Sequence, residues 1–286
     1  MKLLYLLGAG RSGTTALSLL LGSSNCMRAV GELHHISQYA IPGARCSCGQ
    51  LISECAHWRN VTSADWWEKF SHRKYKIESA SLELHRSIWR YFGYHNWRTD
   101  YKYYYNLNTR LFCVFKDFDF VIDSAKYICR ALALKNVENL SVYYIHMVRD
   151  PRGVVHSFSK DVQSPRSFLS ACFYYVLINA TAILVKTTLL RGRVLTIRYE
   201  DLFLEPNLTL ERIGIFLKKD LEEIKPIILG QVPIKNSHTI SGNRLVKSKN
   251  IFLEYDSEWK DRFSRTSQII IWILTFPICL ICRYKP

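Results

Sequence analysis

The chain has 286 residues, a net charge of +15 and 48% hydrophobic residues. This length allows one large domain or at most two, and the apolar and charged fractions are those of a soluble globular protein. The positive charge indicates an anionic partner such as an acidic polymer, a membrane surface or a phosphorylated small molecule, unless it is only a soluble basic surface. The sequence has no Lys/Arg tract and no RNA-recognition motif, which disfavours nucleic acid.

The first apolar run, Lys2 to Leu7, predicts a β-strand. It is too short for a signal peptide, because a glycine-rich turn follows it, and it has no small-residue cleavage site. Nine cysteines without a secretory signal predict reduced thiols and a cytoplasmic location.

The segment GAGRSGTT, residues 8–15, follows this strand and has glycines at positions 8, 10 and 13. The next residues, TTALSLLLG, predict a helix that begins close to Gly13. Backbone N–H groups at a helix start are unpaired within the helix and are backed by its dipole, so they attract anions. This strand, turn and helix therefore predict a phosphate or sulfate site.

Two phosphate-binding patterns each fit this loop in part. Gly8 and Gly13 have the spacing of a Walker A loop, but Thr14 stands where the Walker lysine would be, which disfavours an ordinary nucleoside triphosphatase. The glycines also fit the dinucleotide-binding pattern, and Glu32 lies about 20 residues on, where that pattern expects a ribose-binding carboxylate. The loop adds polar side chains that suit a compact oxyanion: Arg11, Ser12, Thr14 and Thr15.

Residues 36–110 are rich in Trp, Tyr, His and Arg. We predict a helical or irregular insert after the first strand-helix unit, either a lid or acceptor-binding wall or a structural subdomain. Its Cys46, Cys48, Cys55 and His57 lie close together in sequence. Their spacing, C-x-C-x6-C-x-H, is not a standard zinc pattern, so a metal site stays one alternative beside packed free thiols and a redox-sensitive local bridge.

Apolar segments that end in polar residues alternate with helical segments along the chain. Strands are predicted near 118–124, at 142–148 and at 194–199, and helices at 14–21, 127–134 and 167–190. The alternation predicts an α/β fold, a P-loop-like parallel sheet flanked by helices, in a single domain of residues 1–286. Since ligands bind beyond the carboxyl ends of such strands, four charged side chains can gather on one rim: Arg11, Asp123, Arg149 and Glu200.

A second anion site is predicted in RDPRGVVHSF, after the strand at 142–148. Asp150 suits a helix N-cap, and Pro151 suits the first turn. Arg149 at the strand end and Ser157 two turns into the helix can hold one phosphate together, with the guanidinium donating twice. The same residues also fit a helix cap with surface charges.

Residues 269–282, IIIWILTFPICLIC, are strongly apolar. They are fewer than the roughly 20 that a spanning helix needs, and Pro277 interrupts them. A buried terminal helix is favoured. A membrane-surface contact is the alternative, because the flanks carry cations: Arg262, Arg265, Arg283 and Lys285.

The two anion sites together resemble those of sulfotransferases that use 3′-phosphoadenosine 5′-phosphosulfate (PAPS). In that family the first loop holds the 5′-phosphosulfate in forms such as K/R-S-G-T-T, and residues 11–15 read RSGTT. The family's second motif, an arginine followed eight residues later by a serine, binds the 3′-phosphate, and Arg149 and Ser157 match it. YEDL at 199–202 and SGNR at 241–244 are similar to two further family segments. CSCG at 46–49 and DSAK at 123–126 are similar to a largely bacterial branch.

The resemblance implies roles for individual residues. Arg11 is the expected cation at the phosphosulfate, and Lys126 is a second candidate unless it is a surface lysine. Glu32 is favoured as the base, as in branches that act on carbohydrates. His34 and His35 compete because a histidine titrates nearest neutral pH, and a structural role for all three stays open. The donor-binding residues implied are Gly10, Arg11, Ser12, Gly13, Thr14, Thr15, Arg149, Ser157, Tyr199, Gly242, Asn243 and Arg244.

The function that follows is transfer of a sulfuryl group from PAPS to a hydroxyl or amine of a small-molecule or carbohydrate acceptor, by in-line displacement. The product is 3′,5′-adenosine bisphosphate (PAP), and no metal is required because protein cations neutralise the sulfate. We expect no spanning membrane segment and no nucleic-acid partner. The alternatives are an NAD(P)-dependent oxidoreductase, with Glu32 on the ribose, and a non-catalytic binder of acidic polymers. The oxidoreductase leaves Arg149 and Ser157 without a role.

Overall fold

The computed structural model describes residues 1–63, 67, 72–93, 97–160, 165–235, 238–241 and 250–286. Its main sheet contains β1 (Lys2–Leu7), β2 (Met27–Gly31), β3 (Phe120–Lys126), β4 (Ser141–Val148) and β5 (Val194–Arg198). The strands lie in the order β2-β3-β1-β4-β5 and helices flank them, so the predicted α/β fold with a parallel sheet is confirmed. Sequence reasoning missed β2, because its residues MRAVG form no extended apolar run.

The chain forms two compact units, each assembled from three segments. The first unit contains Met1–Leu7, Thr15–Tyr144 and Val232–Phe252. The second unit contains Gly8–Thr14, Ile145–Gln231 and Leu253–Pro286. The single domain expected from the sequence stays a prediction.

The first unit is built on β1, β2 and β3. Parallel pairing places Leu7 of β1 opposite Lys126 of β3, and Gly31 of β2 opposite Asp123 of β3. All side chains of β1 except the first are buried, as expected for a strand covered on both faces. Because β2 and β3 end at the same edge, Glu32 follows one strand end and Lys126 forms the other.

Helices in the range of the first unit include those of the predicted insert, which is helical over much of its described length. This unit also has a small antiparallel pair of strands, β6 (Ile234–Lys235) and β7 (Asn250–Ile251). It contains 3₁₀ helices at Leu33–His35 and His85–Phe92. The α-helices are α1 (Thr14–Leu21), α2 (Ile36–Tyr39), α3 (Arg59–Thr62), α4 (His72–Glu83), α5 (Trp97–Asp100), α6 (Lys102–Cys113) and α7 (Ile128–Leu134).

The second unit contains the predicted capped helix and the longest helix. Its helices are α8 (Pro151–Ser159), α9 (Phe168–Thr187), α10 (Tyr199–Leu204), α11 (Pro206–Leu217), α12 (Lys225–Ile228), α13 (Trp259–Arg262), α14 (Arg265–Leu274) and α15 (Phe276–Ile281), with a 3₁₀ helix at Glu222–Ile224. Asp150 accepts a hydrogen bond from the Arg152 backbone N–H at 2.9 Å, and Pro151 lies in the first turn, which confirms the predicted N-cap.

Helix α9 is long and apolar enough to cross a membrane, judged by its length and composition alone. One face packs within the second unit, where Asn179 is buried and its side chain bonds to the Tyr175 carbonyl oxygen and to His146. Core helices of soluble proteins have the same composition, so this feature is weak evidence for a membrane span.

The apolar C-terminal segment differs from the single buried helix that the sequence favours. It forms two short helices, α14 and α15, that meet at Thr275 just before Pro277. Ile271, Ile278 and Cys279 are buried, whereas other apolar side chains of the segment face solvent. The proline ends one helix and begins the next, because its ring cannot continue the hydrogen-bonding pattern.

Candidate functional site: an anion-binding loop and a glutamate-lysine pair

The loop between β1 and α1 requires glycine at two positions. Gly8 has a φ of +148°, and a Cβ there would lie 2.4 Å from the Met147 carbonyl oxygen. Gly13 has a φ of +90°, and a Cβ there would lie 2.4 Å from the Tyr199 ring. Arg11 also adopts a positive φ of 69°. Non-glycine residues rarely adopt this conformation, and it concentrates at ligand-binding sites.

The loop contains a buried hydroxyl that is suited to an anion. Ser12 is fully buried, and its Oγ has no hydrogen-bond partner among the described residues. Leaving a buried hydroxyl unpaired costs free energy, and a bound phosphate or sulfate oxygen would satisfy it. Thr14 and Thr15, at the start of α1, are also buried.

A tyrosine from α9 completes the loop and was missed in the sequence. The backbone N–H of Gly10 donates to the Tyr174 hydroxyl at 2.9 Å. Nothing in the local sequence around Tyr174 signals this contact, because it lies in the middle of a long apolar helix and 164 positions from the glycine.

Arg149 lies against the same loop. Its Nη1 donates to the Arg11 carbonyl oxygen at 3.2 Å, and its Nη2 donates to the Asp256 carbonyl oxygen at 2.8 Å. The guanidinium carbon lies 4.4 Å from the centroid of the Tyr199 ring. The structure therefore brings together the two segments, GAGRSGTT and RDPR, that the sequence analysis assigned to two anion sites.

Asp256 is a further charged group at this site. Its Oδ2 lies 3.0 Å from Nη2 of Arg149 and 3.8 Å from Nζ of Lys160. Burial alone would raise the pKa of Asp256, but attraction to these two cations outweighs burial and lowers the pKa below its usual value. The carboxylate is therefore ionised at neutral pH and neutralises part of the positive charge of Arg149.

Tyr199 stacks on the Arg149 guanidinium and is itself held by hydrogen bonds. Its hydroxyl donates to the Glu254 carbonyl oxygen at 3.3 Å and accepts from the Asp256 backbone N–H at 3.0 Å. Ser157 is half-buried on α8. The remaining predicted donor-binding residues, Gly242, Asn243 and Arg244, lie outside the described residues.

The first unit contains the second group of candidate residues. Lys126 donates to Glu32 and forms an ion pair with it. Glu32, His34 and His35 each offer a ligand atom within 4.8 Å of the others, so the three candidate bases lie together. The His34 ring centroid lies 3.7 Å from that of His35 and 4.7 Å from that of Tyr127.

The two histidines are neutral at physiological pH. Burial, followed by the nearby His35 and cations, lowers the pKa of His34 to about 2. Burial also lowers the pKa of His35, although Glu32 opposes the change. Neither ring takes up a proton readily near pH 7, which weakens both as general bases.

Two acidic residues that the sequence placed on a rim are instead parts of buried networks. Asp123 accepts a hydrogen bond from Nε of Arg130 at 3.0 Å, and Glu83 pairs with the same arginine. Glu200 accepts from the Asp150 backbone N–H at 2.9 Å and from the Tyr284 hydroxyl at 2.8 Å. A buried charge is stable only when it is paired and hydrogen-bonded, so these carboxylates have structural roles.

The strand, glycine loop and helix define an α/β protein with a P-loop-like fold. The sequence profile of the Sulfotransferase family matches residues 4–223, which is more than half of the chain. The chain belongs to this family and is a transferase.

Solved structures agree with this fold. The sulfotransferase domain from the Synechococcus PCC 7002 olefin synthase is 17% identical, with a TM-score of 0.54, and the match covers 95% of this chain and 93% of that domain. The sulfotransferase domain from the curacin biosynthetic pathway is 18% identical, with a TM-score of 0.54, and the match covers 94% and 95%. At such identities the likeness shows the fold alone. No curated protein matches the chain.

Proposed function

We propose that this protein transfers a sulfuryl group from PAPS to a hydroxyl or amine of a small-molecule or carbohydrate acceptor and releases PAP. The observation that carries the proposal is the hydrogen bond from Arg149 to the backbone of Arg11 in the glycine loop. A nucleotide with a phosphosulfate and a second phosphate needs two anion-binding groups close together. The contact joins Arg149, which we assign to the second phosphate, to the glycine loop, which we assign to the phosphosulfate.

The residues of the loop fit the phosphosulfate end of the donor. Backbone N–H groups at the start of α1 and the unpaired Ser12 hydroxyl donate to its oxygens, with Thr14 and Thr15 as further donors. Arg11 neutralises the charge that grows on the leaving oxygen during transfer. The donor supplies the sulfuryl group and a bisphosphate leaving group, and the chain supplies orientation and positive charge.

The 3′-phosphate is assigned to Arg149 and Ser157. An arginine can donate two hydrogen bonds to one phosphate, and a neighbouring hydroxyl adds a third. Tyr199, stacked on the guanidinium, keeps the arginine in place. By resemblance alone, Gly242, Asn243 and Arg244 complete the binding of the donor nucleotide.

We assign the base to Glu32. Its carboxylate is held by Lys126 at the edge of the sheet, whereas His34 has a half-buried ring and a pKa of about 2. In this role the carboxylate accepts the proton of the acceptor hydroxyl or amine as the oxygen or nitrogen attacks sulfur. Lys126 orients the carboxylate and adds a cation. We propose no metal in this reaction.

Calorimetry with PAP, NAD(P) and ATP on the full chain tests the donor. We expect PAP to bind more tightly than the other two, and labelled PAPS then serves to screen acceptors. Tighter binding of NAD(P) would establish the oxidoreductase alternative instead. If the chain binds acidic polymers but not PAP, the alternative of a non-catalytic polymer-binding protein would be supported.

We further propose a cytoplasmic protein that touches an anionic membrane surface and does not bind nucleic acid. All nine cysteines are free thiols, as is typical of a reducing compartment.

Helix α9 packs against α14 and α15 within the second unit. The three helices expose apolar side chains: Leu169, Phe173, Leu177, Leu184, Ile269, Ile270, Ile273, Leu274, Phe276, Leu280 and Ile281. Exposed cations flank the two C-terminal helices and are complementary to anionic lipid: Arg262, Arg265, Arg283 and Lys285.

A further inference from the structure

Three thiols and one imidazole of the first unit converge on one point. Cys46, Cys48, Cys55 and His238 each offer a ligand atom, and these four atoms all lie within 4.8 Å of one another. Cys48 Sγ lies 3.9 Å from Cys55 Sγ, which lies 3.3 Å from Nδ1 of His238. Soft sulfur ligands together with one imidazole nitrogen are a ligand set typical of structural zinc.

The separations agree with tetrahedral coordination. With Zn–S bonds of about 2.3 Å and Zn–N bonds of about 2.0 Å, two sulfur ligands lie about 3.8 Å apart, and a sulfur and a nitrogen about 3.5 Å apart. The observed 3.9 Å and 3.3 Å are close to both values. A disulfide needs sulfur atoms about 2.0 Å apart, so Cys48 and Cys55 are too far apart for that bond.

We propose that Cys46, Cys48, Cys55 and His238 bind one Zn²⁺ in a closed structural site. Four protein ligands fill the coordination sphere of zinc, which leaves no open position for substrate, and this is how structural sites differ from catalytic ones. The proposal does not depend on the proposed sulfotransferase reaction.

The cysteine loop is preorganised for such a site. The Gly49 backbone N–H donates to the Cys46 carbonyl oxygen at 2.9 Å, and Gly49 has a φ of +89° that suits glycine. The Cys46 backbone N–H donates to the Gln50 carbonyl oxygen, also at 2.9 Å. These bonds close a tight turn that carries the first two thiols.

The segment with the fourth ligand is fastened to this loop. Trp58 Nε1 donates to the His238 carbonyl oxygen at 2.9 Å. The Ser47 backbone N–H donates to the Thr239 carbonyl oxygen at 3.2 Å, and the Thr239 N–H donates to Ser47 Oγ at 2.9 Å. The backbone of His238 is therefore held at its position by the same loop that carries the thiols.

His57, the nearest histidine in the sequence, belongs to the surroundings of the site. Its ring centroid lies 4.0 Å from that of His238, and its Nε2 lies 3.5 Å from Nη1 of Arg28. The zinc pattern was hidden in the sequence because the fourth ligand lies 183 residues after Cys55.

The site has a consequence for Glu32. Just after His238, the Ile240 backbone N–H donates to the Val30 carbonyl oxygen, and the Glu32 N–H donates to the Ile240 carbonyl oxygen, each at 3.1 Å. A metal that holds His238 therefore also holds the backbone beside Glu32. Zinc removal is expected to loosen this part of the first unit.

Elemental analysis of the full chain, expressed with added zinc and purified without chelators, tests the proposal. We expect one zinc per chain in the wild type and in two controls: His57→Ala, which removes the neighbouring ring, and Cys113→Ser, which removes an exposed thiol outside the cluster. His238→Ala and Cys48→Ser should lose the metal.

A second measurement on the wild type stays informative if these variants do not fold. Cobalt exchanged into the purified protein should give the intense visible absorption of tetrahedral cobalt with thiolate ligands, and a mercurial that modifies thiols should release one zinc per chain. Wild-type protein without zinc after incubation with Zn²⁺ under reducing conditions would overturn the proposal. So would full zinc in His238→Ala, loss of zinc in His57→Ala, or two fewer titratable thiols than the nine expected for reduced cysteines.

Discussion

Nη2 of Arg149 lies 3.0 Å from Oδ2 of Asp256, so a carboxylate of the chain pairs with the guanidinium that we assign to the 3′-phosphate of the donor. Arg149 is buried and also bonds to the backbone of Arg11. A phosphate and this carboxylate compete for the same N–H groups, because both are anions. This relationship makes donor binding sensitive to both residues.

Arg149→Ala should weaken PAP binding by about 100-fold, or about 2.7 kcal/mol, because the phosphate loses a charged, doubly donating partner. Arg149→Lys keeps the positive charge but not the planar guanidinium that donates two hydrogen bonds, so its affinity for PAP should fall by about tenfold. Calorimetry measures both, with Arg193→Ala, an exposed arginine of the same unit, as the control. Unchanged PAP affinity in Arg149→Ala would refute the assignment.

Asp256→Asn should strengthen PAP binding by about tenfold at neutral pH, since it removes the negative charge that competes with the phosphate for Arg149. A tenfold gain corresponds to about 1.4 kcal/mol of binding free energy. The gain should shrink in high salt, because the Asp256 carboxylate is partly exposed. Asp261→Asn, in the same unit, is the control. Weaker binding in Asp256→Asn would mean that the carboxylate mainly orients Arg149.

Glu32→Gln should lower kcat by 10²- to 10⁴-fold, the usual range for a general base. PAP affinity should stay the same, because the proposed base acts on the acceptor. His35→Gln should keep most activity, and Glu211→Gln, an exposed carboxyl change, serves as the control. Full activity of Glu32→Gln together with an inactive His35→Gln would move the base to the histidine.

Acid should destabilise the chain through His146, whose buried ring bonds to Asn179. Burial lowers the pKa of His146 to about 4. Between pH 4 and the unfolded value near 6.5, the unfolded chain binds a proton that the folded chain does not, so stability falls as pH falls through this range. At pH 5 the loss from this residue is about 2 kcal/mol.

Urea unfolding at pH 7.5, 6 and 5 measures this effect. His146→Gln keeps an N–H donor for Asn179 and does not titrate, so its loss of stability between pH 7.5 and pH 5 should be about 2 kcal/mol smaller than that of the wild type. The difference at pH 7.5 is the internal control, since both side chains are neutral there. Parallel curves of stability against pH would show that His146 takes up its proton over the same pH range in the folded and the unfolded chain.

The double variant Phe173→Gln, Leu177→Gln should reduce flotation with vesicles rich in phosphatidylserine, because it removes exposed apolar area from α9. Phe173 is 70% exposed, and Ile215→Gln on α11 is a matched control because Ile215 is also 70% exposed. Binding to neutral vesicles should be weaker for every form. Equal flotation of the double variant and the wild type would place the contact elsewhere.

Several features of the fold were predictable from short stretches of sequence. The run KLLYLL became a buried strand, the three glycines a turn before a helix, and Asp150 with Pro151 a capped helix start. The terminal segment was harder, because composition shows that it is apolar but not which of its side chains a neighbouring helix covers.

Predictions about strand ends succeeded only in part. Arg149 did come to the glycine loop, as expected for residues at the carboxyl ends of parallel strands. Asp123 did not stay open on a rim, because Arg130 of α7 and Glu83 of α4 form a buried network with it. A strand pattern indicates where a residue lies along the sheet, but not which partner neutralises it.

The sequence by itself determined four of the five strands of the main sheet, the two motifs that we assign to anion binding and the family, since each strand and motif depends on residues a few positions apart. Only the tertiary structure decided which distant groups meet: Asp256 on Arg149, Tyr174 on Gly10, and His238 on Cys55. The physical reason is that backbone geometry links near neighbours directly. Contacts across a hundred or more residues follow from the packing of the whole core.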